Sequence, residues 1–198
     1  MLITFEGGEG AGKTTQIALL AESLEKEGFK VAAFKEPGST ELGQELRKLL
    51  KDVKYSPNKL TELFMFEASR SELVEKEILP KLKKKEIVIL DRFYDSSYIY
   101  QSLVRGIDED FVNKCNLMAA HGLVPDLTLV LDVDSELGVF KAIEQSRFEK
   151  EGLEFHKQVN EHYRNLPKYF PKRRIIVIPR GSVEEVQKTV YSEVKKIL

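Results

Sequence analysis

The chain has 198 residues, enough for one domain with its own core, and its 42% hydrophobic and 32% charged residues mark a folded globular protein rather than a disordered one. A net charge of −1 excludes the broad basic face of a general nucleic-acid binder, and apolar runs no longer than a strand exclude a membrane-crossing helix. The single cysteine, Cys115, cannot form an internal disulfide, which fits a reducing cytoplasm and a place in a helix core.

In chain order, MLITFEGG runs directly into a strand over Leu2–Glu6, with no leader segment expected. A helix begins near Lys13. Its Ile17, Leu20, Ala21 and Leu24 recur at the spacing of one buried face, and Gly28 stands where a C-terminal stop belongs. A strand over 30–34 follows. Ser56-Pro57 reads as an N-cap with proline at the first helical position. A third strand spans Ile87–Asp91, and a helix starts near Tyr94. Phe111, Cys115 and Met118 mark the buried face of another helix. Strands over 127–132 and 174–178 precede a last helix, which opens on a capping box formed by Ser182 and Glu185 and buries Val183, Val186, Val190 and Val194. Continuous apolar strands alternating with helices predict an α/β domain over 1–198, a parallel sheet covered on both faces, with ligands beyond the carboxyl ends of its strands. His121, His156 and His162 are too scattered for a zinc site.

The informative residues lie at those carboxyl ends. Residues 7–14 read GGEGAGKT, a full match to the phosphate-binding loop G-x-x-x-x-G-K-[ST], set between a strand and a helix. Gly7, Gly8, Gly10 and Gly12 let backbone N–H groups turn inward around phosphates, together with Glu9 and Ala11 between them. The helix N-terminus adds its dipole at Thr14 and Thr15. Lys13 reaches the β- and γ-phosphates of a nucleoside triphosphate, and the Thr14 hydroxyl suits Mg²⁺. A GTPase switch is excluded for want of a guanine-reading N-K-x-D, since 58–61 reads NKLT and 113–116 reads NKCN. A small kinase remains, with a nucleotide-dependent interaction protein as the non-enzymatic alternative.

The acceptor side begins at Asp91-Arg92. An aspartate ending a strand beside the phosphate loop suits the Mg²⁺ shell, and an arginine next to it can clamp a phosphate. On the following helix Ser96 and Tyr100 share one face, and Ser97 and Gln101 the next, a set that suits a polar heterocycle.

With these segments in hand the chain resembles the thymidylate kinases of the bacterial type over nearly its whole length. The resemblance rests on TFEGGEGAGKTTQ (4–16), KEPGSTELGQELRKLL (35–50), LFMFEASR (63–70), ILPKL (78–82), ILDRFYDSSYIYQ (89–101), PDLTLVLDVD (125–134) and SRFEKEGLEFHKQVNEHY (146–163). It implies a P-loop NTPase fold with five parallel strands in the order 2-3-1-4-5. It also implies transfer of the γ-phosphoryl group of ATP to dTMP with Mg²⁺ held by Thr14 and Asp91, and a cytoplasmic homodimer with no nucleic-acid or membrane partner. The face over 111–120 is a candidate dimer interface. Phe66 resembles the residue that stacks on thymine, and Arg70 the arginine that donates to thymine O4. Ser97 and Gln101 match base-edge positions, with Ser96 beside them. Arg92 and Arg47 resemble the arginines on the acceptor 5′-phosphate. Glu36 and Glu9 resemble carboxylates near the sugar and the metal, and Tyr100 the aromatic that favours deoxyribose.

Some positions depart from the family pattern. Gly10 stands where a subgroup has a catalytic arginine, so the transition-state cation is expected from a lid over 140–152. There Ser146 replaces an aspartate, Glu149 is kept, and Arg147 is the only arginine, with Lys141 and Lys150 nearby. Lys35 replaces an arginine before the EPG turn, and Glu72 and Leu73 stand where a Gln-His pair is common. Arg180, in the loop 179–182, is expected on the adenine side of ATP. The alternative reading is a kinase for another pyrimidine monophosphate.

Overall fold

The computed structural model describes residues 1–134, 147–148 and 151–198. Five strands form one parallel sheet in the order β2-β3-β1-β4-β5: β1 Leu2–Glu6, β2 Val31–Lys35, β3 Ile87–Asp91, β4 Leu127–Leu131 and β5 Ile175–Ile178. The predicted order and the predicted strands hold, with edges moved by one residue at 30, 34, 132 and 174. Such edges depend on whether a terminal residue completes a ladder bond.

Helices cover both faces, as expected. On one, Ile3 and Phe5 of β1 with Leu127 and Leu129 of β4 pack against Ile17, Leu20 and Leu24 of α1 (Lys13–Lys26) and against Val190 and Val194 of α8 (Val183–Lys195). The capping box of Ser182 and Glu185 is present, but Val183 is exposed. On the opposite face, Leu2, Val88 and Leu90 meet Leu73 at the end of α3 (Lys59–Leu73), while Val130 and Ile175 meet Val159 and Leu166 of α7 (Leu153–Tyr169). Between α1 and α3 lies α2 (Glu41–Lys51). After α3, a π-helical turn over Val74–Ile78 and the short α4 (Leu79–Lys83) lead to β3. β3 is followed by α5 (Tyr94–Ser97), a π-helical stretch Tyr98–Val104, and α6 (Glu109–Ala119).

Two local expectations are corrected. The cap of α3 is Asn58, whose side chain accepts from the N–H groups of Leu60 and Thr61, so Ser56-Pro57 stays outside the helix. One oxygen satisfying two otherwise orphaned donors is the stronger start signal. In α6 the inward face is Val112, Asn116 and Ala119, while Phe111 and Met118 are exposed and Cys115 is half-buried. Asn116 sets that rotation. Its Oδ1 accepts from Arg70 and its Nδ2 donates to the carbonyl of Tyr94, both bonds buried, and a buried polar residue must keep its partners.

Candidate active site

The carboxyl ends of β1, β3 and β2 open onto one cleft of about 450 Å³. At one end run Glu9, Gly10, Ala11, Gly12, Lys13, Thr14 and Thr15. Gly7 and Gly8 sit deeper, Gly7 held to glycine by its backbone and Gly8 closely packed on a side chain. A Cβ on Gly7, at φ +136°, would lie 2.5 Å from the carbonyl oxygen of Leu131, and one on Gly8 would lie 2.0 Å from Oδ1 of Asn160. Gly12 caps α1 in the left-handed region and supplies no side chain, so the first N–H groups of the helix face the cleft. Lys13 folds back over the loop, and its buried Nζ donates to the carbonyls of Gly7 and Gly8 at 2.9 and 2.8 Å. Burial and the nearby Arg92 hold its ammonium down to about 8, although Asp91 and Glu9 pull upward. Partial desolvation raises Glu9, but the charges of Arg92, Lys13 and Lys35 outweigh it and hold that carboxyl at about 2.

Thr14 Oγ1 donates to Asp91 Oδ2 at 3.1 Å, so the two predicted metal ligands are in direct contact. Asp91 Oδ1 is buried and has no hydrogen-bond partner among the described residues. A hydroxyl and an uncommitted carboxylate oxygen beside a phosphate loop are the hard oxygen donors that Mg²⁺ takes, with phosphates and water filling the rest of its shell. Among the described residues there is no cluster of three or more His, Cys, Asp or Glu, so these donors would not form a closed protein cage.

Arg92 takes a left-handed backbone, φ 71°, which turns its side chain across the cleft. Its Nη1 donates to Tyr163 at 2.9 Å and Ser96 at 3.2 Å, its Nη2 pairs with Glu9 at 3.2 Å, and its guanidinium lies 5.6 Å from the centre of the Tyr100 ring. Beneath it Glu6 accepts from Phe93 N–H, Ser96 and Tyr163. Burial, reinforced by Asp95, pushes the Glu6 carboxyl up to about 7 against the pull of Arg92. Sequence reading overlooked both Glu6 and Tyr163. They are 157 residues apart, and only the crossing of α7 beside β1 joins them.

The other end of the cleft is lined by Glu36, Arg47, Phe66, Arg70, Ser96, Ser97, Tyr100 and Gln101, all predicted from sequence. Arg70 is fully buried. Its Nε donates to Glu36, Nη1 to Glu67 and Asn116, and Nη2 to Ser97. Of five guanidinium N–H groups this leaves one, on Nη2, uncommitted among the described residues. Burial pushes Glu36 upward, because Arg70 is shared with Glu67 and offsets it only in part. Glu36 Oε1 is buried without a partner among the described residues. Arg47 Nη1 donates to the carbonyl of Pro37. Phe66 faces the ring of Phe148 at 6.0 Å, and Tyr100 meets the same ring at 6.5 Å, so Phe148 closes an aromatic wall that sequence reading had not assigned.

Besides Gly7 and Gly8, which sit deeper in the loop, the expected site residues Arg147 and Arg180 are not among those lining the cleft. Arg147 donates to Glu62 and to the carbonyl of Leu50, with its guanidinium over Phe148. Arg180 is half-exposed beyond β5 and paired with Asp132 and Asp134. Lys141, Ser146, Glu149 and Lys150 lie outside the described residues.

With this geometry in view, the family model for thymidylate kinase matches residues 5–190. The thymidylate kinase of Thermoanaerobacter sp. strain X514 is 40% identical over 99% of this chain and 98% of its own length. That of Caldanaerobacter subterraneus subsp. tengcongensis is 41% identical over 99% and 95%. The crystal structure of thymidylate kinase from Ehrlichia chaffeensis superposes with a TM-score of 0.81 at 35% identity, covering 98% of each chain.

Proposed function

The chain belongs to the thymidylate kinase family, and from that premise we infer how its cleft moves the γ-phosphoryl group of ATP onto dTMP, giving dTDP and ADP. One observation carries the reading. The phosphate loop, the Asp91-Arg92 pair and a base-sized pocket bounded by Phe66, Arg70 and Gln101 open into the same cleft, so donor and acceptor phosphates meet there.

The ATP phosphates rest on residues 7–15, with the N–H groups of the loop and of α1 as donors. Arg180 lies toward the adenine side. Mg²⁺, held by Thr14 and Asp91, supplies neutralisation of the phosphate oxygens when bound. Lys13 leaves the carbonyls of Gly7 and Gly8 for the β- and γ-phosphates. Arg92 and Arg47 hold the acceptor 5′-phosphate, Glu9 steadying Arg92. The vacant Glu36 Oε1 accepts from a sugar hydroxyl, and Tyr100 crowds the 2′ position. Phe66 stacks on the base and the spare Arg70 N–H donates to thymine O4. An oxygen of the acceptor phosphate attacks the γ-phosphorus in line as the bond to the β-γ bridging oxygen breaks. Lys13 and Arg92 offset the charge that spreads over the γ-oxygens. No protein nucleophile takes part.

The pH dependence follows from Lys13. Only its ammonium form serves the phosphates, and in the free enzyme that form is lost above about pH 8. Because kcat/KM reports the free enzyme, kcat/KM for ATP falls above that pH, while kcat holds further into the alkaline range because bound phosphates raise the lysine again. A kcat/KM that stays flat to about pH 10 contradicts this role.

Arg147 is assigned to the γ-phosphate in the closed state, since Gly10 leaves the loop without an arginine. The role entails an exchange, the guanidinium leaving Glu62 and the carbonyl of Leu50 for phosphate oxygens. Arg147→Ala is expected to lower kcat about tenfold, with KM for dTMP little changed. Wild-type kcat in the variant moves the role to Lys141, Lys150 or another arginine.

The protein is further proposed to be a cytoplasmic homodimer. No described helix is long and apolar enough to cross a membrane. The outward face of α6 bears Phe111, Leu117 and Met118, the last 80% exposed, and Phe64 of α3 packs on Phe111 at 6.3 Å. An apolar patch of this kind supports an interface between copies of the chain.

A further inference from the structure

We propose that Glu62 is a specificity-determining residue, which fixes the orientation of the Gln101 amide so that only a base with a hydrogen on N3 is accepted. The inference rests on the thymidylate reading of the cleft and concerns how that pocket tells thymine from cytosine.

Glu62 lies in the first turn of α3 and is buried, at 1% exposure. A carboxylate there needs partners, and it has three. Oε1 accepts from Gln101 Nε2 at 3.0 Å and from Arg105 Nε at 2.8 Å, and Oε2 accepts from Arg147 Nη2. An ionised carboxylate has only acceptors to offer, and Arg105 keeps it paired when Arg147 leaves for the phosphates. Gln101, itself 1% exposed, stands on the π-helical stretch Tyr98–Val104, and its main-chain carbonyl is tied to Ile107 N–H. The side chain therefore has one freedom left, the half-turn of its amide. Turning it would set the amide oxygen against a carboxylate oxygen and forfeit the bond to Glu62, so Glu62 removes that freedom too.

The consequence falls on the other end of the amide. With an Nε2 N–H held by Glu62, Oε1 is left without a partner among the described residues and is the acceptor that Gln101, in the lining of the cleft, can offer a base. An oxygen can only accept. The N3 of thymine or uracil carries a hydrogen and satisfies it, whereas the N3 of cytosine is itself an acceptor and meets it with repulsion. A freely turning amide would serve both. Arg70 reads the neighbouring position on the same edge, so the two side chains present a donor and an acceptor in a fixed order. Glu67 holds the first and Glu62 the second.

The test is Glu62→Gln, which keeps size but can either donate or accept. Discrimination, measured as the ratio of kcat/KM for dTMP over dCMP, is expected to fall at least about tenfold. The ratio of dTMP over dUMP should not move, since those bases share N3–H and O4. Glu62→Asp, still an obligate acceptor, should keep more of the thymidine-over-cytidine ratio than Glu62→Gln. In a Gln101→Met background, which itself loses the discrimination, Glu62→Gln should add nothing further, because Glu62 acts through Gln101. An unchanged dTMP over dCMP ratio in Glu62→Gln overturns the inference, as does an equal fall in both ratios, which marks mere loosening of the pocket. Should Glu62→Gln fail to fold, Gln101→Met decides alone, and an undiminished ratio there overturns it. A wild type that prefers dCMP is a different failure and strikes the thymidylate reading of the pocket.

Discussion

Replacing Lys13 by alanine is expected to lower kcat/KM by at least about 10²-fold, equivalent to about 2.7 kcal/mol of transition-state stabilisation. The side chain serves twice. Before nucleotide arrives its Nζ bridges the carbonyls of Gly7 and Gly8 and holds the loop in its cradle shape. In the proposed reaction it then turns to the phosphates as a buried positive charge. Lys13 is 7% exposed, and water in the space left by its side chain could satisfy the carbonyls but would carry no charge to the phosphates. Steady-state turnover of a purified variant with a native circular dichroism spectrum checks this. Near-normal turnover in that variant would end the phosphate-loop assignment.

Arg70→Ala is expected to damage folding and substrate recognition together. Sequence reading gave Arg70 one task, a hydrogen bond to the base. The structure adds a second, since the guanidinium is the common partner of Glu36, Glu67, Asn116 and Ser97 in the wall of the cleft. Deleting it leaves buried carboxylates without their counter-charge, a loss of roughly 3–5 kcal/mol. For a chain of this length that lowers the melting temperature by roughly 10 °C. Below that temperature the folded fraction should still bind ATP, because none of Arg70's partners touches the phosphate loop, while turnover of dTMP collapses. Thermal melts paired with ATP titration and dTMP kinetics separate the two effects. A variant with wild-type melting and an unchanged KM for dTMP contradicts both.

The contrast between Lys13 and Arg70 shows what was legible in the residue order. The phosphate loop is contiguous, so GGEGAGKT discloses its own geometry, and the apolar strand runs disclose the sheet. Phe66, Arg70, Ser97 and Gln101 were legible as cleft residues because each stands in a motif segment that the family resemblance covers. Their supports were not. Glu62 and Asn116 lie outside those segments, Glu67 and Tyr163 stand inside them without a role of their own, and nothing local marks a glutamate on a helix as the anchor of an amide 39 residues away. The same blindness misplaced α6. Phe111, Cys115 and Met118 have the spacing of a buried stripe, yet the helix turns Asn116 inward, because a buried arginine elsewhere needs its carbonyl. Patterns of apolar residues report which faces want to leave water. Only the assembled fold reports which polar groups must follow them in. Phe148 was overlooked for a plainer reason. Its neighbour Arg147 carries the charge of that segment, and the guanidinium lies over the ring that completes the aromatic wall.

The measurement that bears most directly on the central claim is a coupled ADP-release assay of the wild-type protein with ATP and Mg²⁺, comparing dTMP, dUMP, dCMP and dGMP as acceptors. With an acceptor-specific pocket built on Phe66, Arg70 and Gln101, dTMP should give the highest kcat/KM and dCMP should fall below dUMP, because dUMP lacks only the methyl group while dCMP inverts the hydrogen-bonding edge. Preference for dCMP or dGMP, or ADP release that does not depend on any monophosphate, would contradict it.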